Sequence, residues 1–207
     1  MNTQTHLLVA AAAGVALAAP GAPRAGTVWA LLAGALLPDA SLFVMWGGAK
    51  LAGVPEATIW TELYHSDRWQ GIAAITNSAP LFALVLAAGV WLARTRAPAV
   101  GAALVAFAIG ALLHVATDLP LHHDDGHPHF WPFSAWIFAS PVSYWDPAHH
   151  GRLWSAFETA LGIALAIWLW RAAAGVRTGA RRLARTGLAL AAAAYAAAAA
   201  YWTMAFG

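Results

Sequence analysis

The residues of this chain best suited to chemistry are its histidines and carboxylates. Nine His stand against nine Asp and Glu in 207 residues. His114 and Asp118 are spaced i, i+4, so on a helix they lie one above the other on one face. An imidazole and a carboxylate so placed can bind one metal ion, although an isolated pair of this kind more often caps or packs a helix. Directly after them, residues 122–129 read His-His-Asp-Asp-Gly-His-Pro-His. Neutral imidazole and carboxylate oxygens are ligands for zinc and similar divalent ions. Two carboxylates and two neutral imidazoles also cancel the charge of such an ion, which makes the group tolerable in a low-dielectric setting. The alternative for 122–129 is a solvated, His-rich loop.

The elements that must position these residues are membrane helices. Hydrophobic residues make up 61% of the chain and charged residues 10%, where a soluble domain is roughly half apolar and a quarter charged. Twelve Trp fit interfacial anchoring. The absence of Cys excludes disulfides, thiolate metal sites and cysteine nucleophiles. A net charge of +2 gives no reason to expect nucleic-acid binding. The fold class expected is all-α: a polytopic membrane helix bundle forming one integral membrane domain over residues 1–207. A span needs roughly 20 apolar residues, and six segments qualify: about 6–22, 26–46, 71–93, 98–119, 153–170 and 183–206. Pro38-Asp39 is expected to interrupt the far end of the second. Between the second and third, residues 50–70 are more polar, and Pro55 can open a short helix lying in the interface, with Ile59, Trp60, Leu63 and Tyr64 on one side. Residues 120–152 read as one long His/Asp-rich loop. Ala16-Leu17-Ala18 resembles a signal-cleavage site, but Met1–His6 has no Lys or Arg, so the first segment is expected to stay as a span.

Charge sets the orientation. With six spans, one face carries Lys50, Arg68 and Arg152. The other carries Arg24, Arg94, Arg96, Arg171, Arg177, Arg181, Arg182 and Arg185. By the positive-inside rule the Arg-rich face is cytoplasmic. Both termini and the 120–152 loop are then extracytoplasmic, and the location is the bacterial inner membrane. Trp46, Trp60, Trp69, Trp131, Trp136, Trp145 and Trp154 fall in or beside the outer loops, as an aromatic belt does.

In this arrangement His6, Asp39, His114 and Asp118 reach a similar depth near the outer boundary, where ionisable groups face a partner or a cavity rather than lipid. They are the expected ligands, with His122, Asp124, His127 and His129 completing or flanking the site. Asp125 and Glu158 are the carboxylates available to handle a proton. Further residues could support the cluster. His65 ends the interfacial helix, Asn77 lies in the outer turn of the third span, and His149 and His150 precede the fifth. Asp146 reads equally as a helix N-cap with Pro147 at the first position.

Thr5-His6, the Gly-Ala-Leu-Leu-Pro-Asp element Gly34–Asp39, the Leu-Leu-His-x-x-x-Asp element Leu112–Asp118 and Trp131-Pro132-Phe133 together resemble the bacterial membrane-bound metal-dependent hydrolases. The resemblance covers about residues 1–150. It implies helical proteins whose His and Asp bind zinc, related to zinc-dependent phospholipase C and P1-type nucleases. The family pattern His-Arg-Gly-x-Thr-His-Ser before the third span is replaced here: Asn77 stands where its second His belongs, and His65 lies off the spacing.

The function expected is a membrane-embedded hydrolase using a divalent metal, zinc first. Its substrate would be a phosphoester, membrane lipid or other amphipathic small molecule. The metal would polarise a phosphoryl oxygen and lower the pKa of a water to about 7. The rival is a non-catalytic metal-binding membrane protein serving transport, sensing or a structural role. The cytoplasmic halves of the spans are almost free of polar residues, which argues against transport.

Overall fold

The computed structural model describes residues 1–16, 25–175 and 178–206. The segment 17–24, with the Pro20–Pro23 stop, most of the cleavage-like stretch and Arg24, and the residue Arg177 fall outside the described residues. What is described is helical, without a strand. The long elements are α1 (Thr3–Ala16), α2 (Ala25–Leu51), α4 (Asp67–Thr76), α5 (Ala79–Thr95), α6 (Pro98–Asp118), α7 (Gly151–Gly175) and α8 (Thr178–Phe206); α3 is the single turn Glu56–Thr58.

Four stretches among the described residues are long and apolar enough to cross a membrane: Gly26–Leu51, Asp67–Thr95, Pro98–Leu121 and Gly151–Ala174. They correspond to the second to fifth expected spans, each a few residues longer. Their large apolar side chains remain partly outside, Trp29, Leu84, Trp91, Ile163 and Trp170 among them, as lipid-facing surfaces require. The core instead is small and aliphatic. Leu7, Leu8, Ala10 and Ala11 of α1 meet Val28, Leu31, Leu32 and Ala35 of α2, Leu169 of α7 and Leu183 and Ala184 of α8.

Two expectations about helix ends are corrected. Pro38 lies inside α2 and does not end it. Proline removes one ladder hydrogen bond, the one its missing N–H would make to the Gly34 carbonyl; the chain stays helical to Leu51, and Ser41 Oγ donates to the Pro38 carbonyl at 2.9 Å. α2 runs on to Leu51, past the expected end of the second span at 46, and the short helix expected from Pro55 follows it. It comprises α3, a π-turn over Ile59–Leu63 and a Ser66 cap that opens α4. The third span is broken instead, at Asn77–Ser78, between α4 and α5. Ser78 caps α5, its Oγ accepting from the Leu81 N–H at 3.1 Å.

The pairing that matters most for position is α2 against α6. It is tight because both helices present glycine at the crossing. A Cβ at Gly34 would stand 2.0 Å from the Phe107 carbonyl oxygen, and one at Gly110 would stand 2.1 Å from the Leu31 carbonyl oxygen. Small residues at such crossings let membrane helices approach backbone to backbone. One turn and a half beyond Gly34 comes Asp39, and one turn beyond Gly110 comes His114.

This crossing gives a direct test. Gly110→Ala should lower the stability of the purified protein by about 1–3 kcal/mol, the usual cost of overpacking. Gly48→Ala in the partner helix α2, where a Cβ meets open space, should leave it unchanged or raise it by up to about 1 kcal/mol. Thermal unfolding in detergent of the two variants reads the difference, and equal midpoints would remove the close crossing as a constraint.

Candidate metal centre

Three helices deliver side chains to one point. α1 begins there and places His6 in its second turn. α2 passes it at Asp39. α6 ends there with His114 and Asp118. One donor atom from each of His6, His114 and Asp118 lies within 4.8 Å of the others. His6 Nε2 is 3.2 Å from Asp118 Oδ1, and His114 Nε2 is 3.5 Å from Asp118 Oδ2 and 3.7 Å from Asp39 Oδ1. The two imidazoles stack with centroids 3.6 Å apart.

The protonation pattern follows from the partners on the other side of each ring. His114 Nδ1 lies 2.8 Å from the Ala35 carbonyl oxygen, which can only accept. Nδ1 therefore carries a hydrogen and donates, and Nε2 of the neutral ring presents a lone pair. That Nε2 is buried and has no hydrogen-bond partner. Thr117 Oγ1 donates to the Leu113 and His114 carbonyls of its own helix, at 2.8 and 3.0 Å. It also lies 3.2 Å from His6 Nδ1. On the other side of that ring, His6 Nε2 donates to Asp118 Oδ1 at 3.2 Å, since a carboxylate oxygen only accepts. A buried carboxylate needs more positive charge than one such donor brings. Here the α-amino group of Met1 contacts Asp118 Oδ1. A histidine whose far nitrogen is held by a carbonyl or hydroxyl is the usual preparation of a metal ligand.

Around this centre the polar contacts continue outward. Thr3 Oγ1 donates to Asp39 Oδ2 at 2.6 Å. His122 Nε2 stands 3.0 Å from Asp118 Oδ2, and His122 Nδ1 stands 2.9 Å from Asp125 Oδ1. Neither ring nitrogen has hydrogen-bond geometry to these oxygens, so the distances describe ion contacts. Trp145 Nε1 donates to Asp125 Oδ2 at 2.8 Å, and Tyr64 OH donates to the Asp125 carbonyl at 2.6 Å.

The remaining candidates lie as follows. Glu158 is buried and accepts from the Asn2 backbone N–H at 2.7 Å and from Asn2 Nδ2 at 3.1 Å; it ties the start of α1 to α7. Asn77 caps its own helix through Nδ2, and its carbonyl oxygen accepts from His129 Nδ1 at 3.2 Å. His127 Nδ1 faces Gln70 Oε1 at 3.3 Å. Asp124 is exposed and His65 is exposed beside Tyr64; neither is brought to the cluster. Asp146 caps the turn Pro147–His149, accepting from the Ala148 N–H at 2.9 Å and from His149 Nδ1 at 2.6 Å. His149 stacks on His123, a histidine that sequence reasoning left out, and His150 is exposed in a left-handed conformation. Thr3, Gln70 and Thr117 were also missed. Thr3 and Thr117 were legible in principle, each three residues from a candidate histidine and so on its helix face.

The loop histidines differ in electrostatics. Burial opposes a charge on His122, but the facing carboxylates of Asp118 and Asp125 outweigh it and raise its pKa to about 9. Burial, together with the neighbouring His122 and His129, pushes His127 down to about 4. Burial lowers His129 as well. It would raise Asp125, but His122 and Trp145 hold that carboxyl below its usual range.

The YdjM inner membrane protein family model matches residues 1–205, and the chain belongs to that family. This agrees with the membrane character read from the composition; it lends no support to kinship with phospholipase C or P1-type nucleases. No curated protein and no solved structure gives a significant match.

The loop histidines predict a stability maximum near pH 6.5 for protein kept in chelator. His122, raised to about 9 from an ordinary 6.5, stabilises fully below pH 6.5, and that contribution is lost as pH rises through 9. His127, lowered to about 4, gives stability present above 6.5 that is lost as pH falls towards 4. Thermal midpoints measured from pH 4 to 9.5 should trace both limbs. His122→Gln should flatten the alkaline limb and His127→Gln the acid one.

Proposed function

We propose that this protein is an inner-membrane hydrolase dependent on a divalent metal, with His6, His114 and Asp118 as its ligands and Asp39 at the open edge. The observation that carries the reading is His114 Nε2: a buried nitrogen on a ring fixed by the Ala35 carbonyl, left without a hydrogen-bond partner, among His6, Asp118 and Asp39. An uncompensated polar atom of this kind costs on the order of 1–3 kcal/mol, and a cation removes the cost. Donors of two imidazole nitrogens and carboxylate oxygen suit zinc best.

A bound ion would polarise a phosphoryl or acyl oxygen and acidify water. The chain supplies the rest. The Ala35 carbonyl holds His114 with its hydrogen on Nδ1, as a ligand needs. Thr3 orients Asp39. Asp125, with Oδ2 held by Trp145, is the carboxylate best placed to take a proton, while Glu158 positions the N-terminal segment through Asn2. A site at the end of α6 lies at headgroup depth, which favours a lipid phosphoester or similar amphipathic substrate. We place both termini and the 120–152 loop outside the cytoplasm and count α1 and α8 as the first and sixth spans, on the charge asymmetry between the loops.

One observation favours the non-catalytic alternative. The side chains of His6 and His114 are each 1% exposed and that of Asp118 6%, while Asp39 alone reaches 20%. A metal held there could serve to fasten α1, α2 and α6 together.

Metal analysis and turnover separate the two. Detergent-purified protein should carry zinc, and His114→Ala or Asp118→Ala should remove most of it, while His65→Ala should not. Retention of zinc in both ligand variants would sink the assignment. If the protein is a hydrolase, a metallated sample should turn over a phospholipid or generic phosphoester, chelator should abolish this, and Asp125→Asn should cut the rate while keeping the metal. A fully metallated protein silent across both substrate panels would leave the fastening role. Reporter fusions after Gly207 and within 120–150 should read extracytoplasmic, and a fusion near Thr178 cytoplasmic; the reverse pattern would overturn the orientation.

A further inference from the structure

We propose that residues 130–138 form a membrane wedge: an aromatic finger seated in the headgroup–acyl boundary of the leaflet on the metal centre's side, with phospholipid as its partner. The finger takes this place whether or not the centre is catalytic. Its depth is set by α5. That helix runs 17 residues, from Ala79 to Thr95, or about 25 Å at 1.5 Å per residue. The exposed Arg94 and Arg96 mark its far end, and a hydrocarbon core is roughly 30 Å thick. The start of α5 therefore lies at or just inside the opposite boundary. The finger is tied to that point. The His129 carbonyl accepts from the Ala79 N–H at 2.9 Å, His129 Nδ1 donates to the Asn77 carbonyl at 3.2 Å, and Ser78 Oγ donates to the Trp131 carbonyl. The returning chain closes on the end of α6, where the Ser140 N–H donates to the His122 carbonyl and the Tyr144 N–H to the Leu121 carbonyl, each at 2.9 Å.

The side chains suit that depth. Residues 126–145 contain no Asp, Glu, Lys or Arg. Phe133 is 82% exposed and Trp136 55%, with Phe130 and Ile137 also outside. Trp136 joins the group, its ring 5.9 Å from that of Phe130 and 5.7 Å from that of Phe138. A contiguous apolar patch is a liability in water, whereas aromatic rings are enriched where a membrane meets water. The backbone is satisfied within the finger. The Trp131 N–H donates to the Pro128 carbonyl at 3.0 Å, and the Phe133 and Ser134 N–H groups donate to the Phe130 carbonyl at 3.0 and 3.2 Å. The Trp136 N–H donates to Ser134 Oγ at 3.1 Å, and Pro132 has no N–H to satisfy. Irregular backbone is costly in an apolar boundary unless its polar groups are paired in this way. The occupant is lipid rather than a second copy of the chain, because the patch continues the lipid-facing surface of α5, where Leu84 and Trp91 are exposed.

The test uses the full chain in vesicles of phosphatidylethanolamine and phosphatidylglycerol. The chain has no Cys, so Phe133→Cys and Trp136→Cys each supply a single thiol for a nitroxide label. Both labels should collide several-fold more often with oxygen, which concentrates among acyl chains, than with a water-soluble nickel chelate. A label on Asp124→Cys, at an exposed position of the preceding loop, should show the reverse. Nickel collisions as frequent at positions 133 and 136 as at 124 would overturn the wedge. So would labels shielded from both reagents, since a second copy or another protein would then cover the patch. Because a label can push a loop aside, the unmodified protein supplies a second reading. A phospholipid carrying a diazirine beside its glycerol esters should cross-link within residues 130–137, mapped by mass spectrometry. Cross-links confined to the spanning helices would reject the proposal.

Discussion

A carboxylate buried at the end of an apolar helix must be met by positive charge, and Asp118 sets this condition for the rest of the molecule. Its two oxygens are approached by His6, His114, His122 and the α-amino group of Met1. These come from the start of α1, the body of α6 and the following loop. Several of the fold's less expected features follow from bringing them together. α1 must begin at the site rather than pass it. Glu158 of α7 and Asp39 of α2 must hold Asn2 and Thr3. α2 and α6 must approach closely enough for a backbone carbonyl of one to fix an imidazole of the other.

That last requirement links packing to chemistry. Ala35 is at once a residue of the α2–α6 crossing and the acceptor that decides which nitrogen of His114 is left bare. Gly34 and Gly110 make the crossing possible. The short, small-residue interface is thus part of the site, although none of its members carries a functional group.

Much of this was readable from the residues themselves. The helical class and the second to fifth apolar stretches followed from composition and run length. His6, His114 and Asp118 followed from ionisable residues lying at one depth in apolar segments. The rest was hidden for physical reasons. Pro38 looks like a helix end in one dimension, because its missing N–H is visible and the packing that keeps the chain helical beyond it is not. The break at Asn77–Ser78 has a local signal in Pro80, in the first turn of α5; what stays hidden is that its Asn77 carbonyl and Ala79 N–H are satisfied by the loop about 50 residues on. The roles of Gln70 and Thr117 depend on which way a hydrogen points, which no spacing encodes. Glu158 reads as a free carboxylate until Asn2 is seen on it.

The helix break itself bears on how such a chain is made. Ser78 Oγ donates to the Trp131 carbonyl, 53 positions further along, and the Ala79 N–H and Asn77 carbonyl are both engaged by His129. When α4 and α5 leave the ribosome, these polar groups have no partner, and none arrives until α6 and the segment after it have been synthesised. The break in the third hydrophobic stretch therefore stays unfinished while the next helix is made. Its completion is timed by the segment that follows α6, so an early part of the chain depends on a late one.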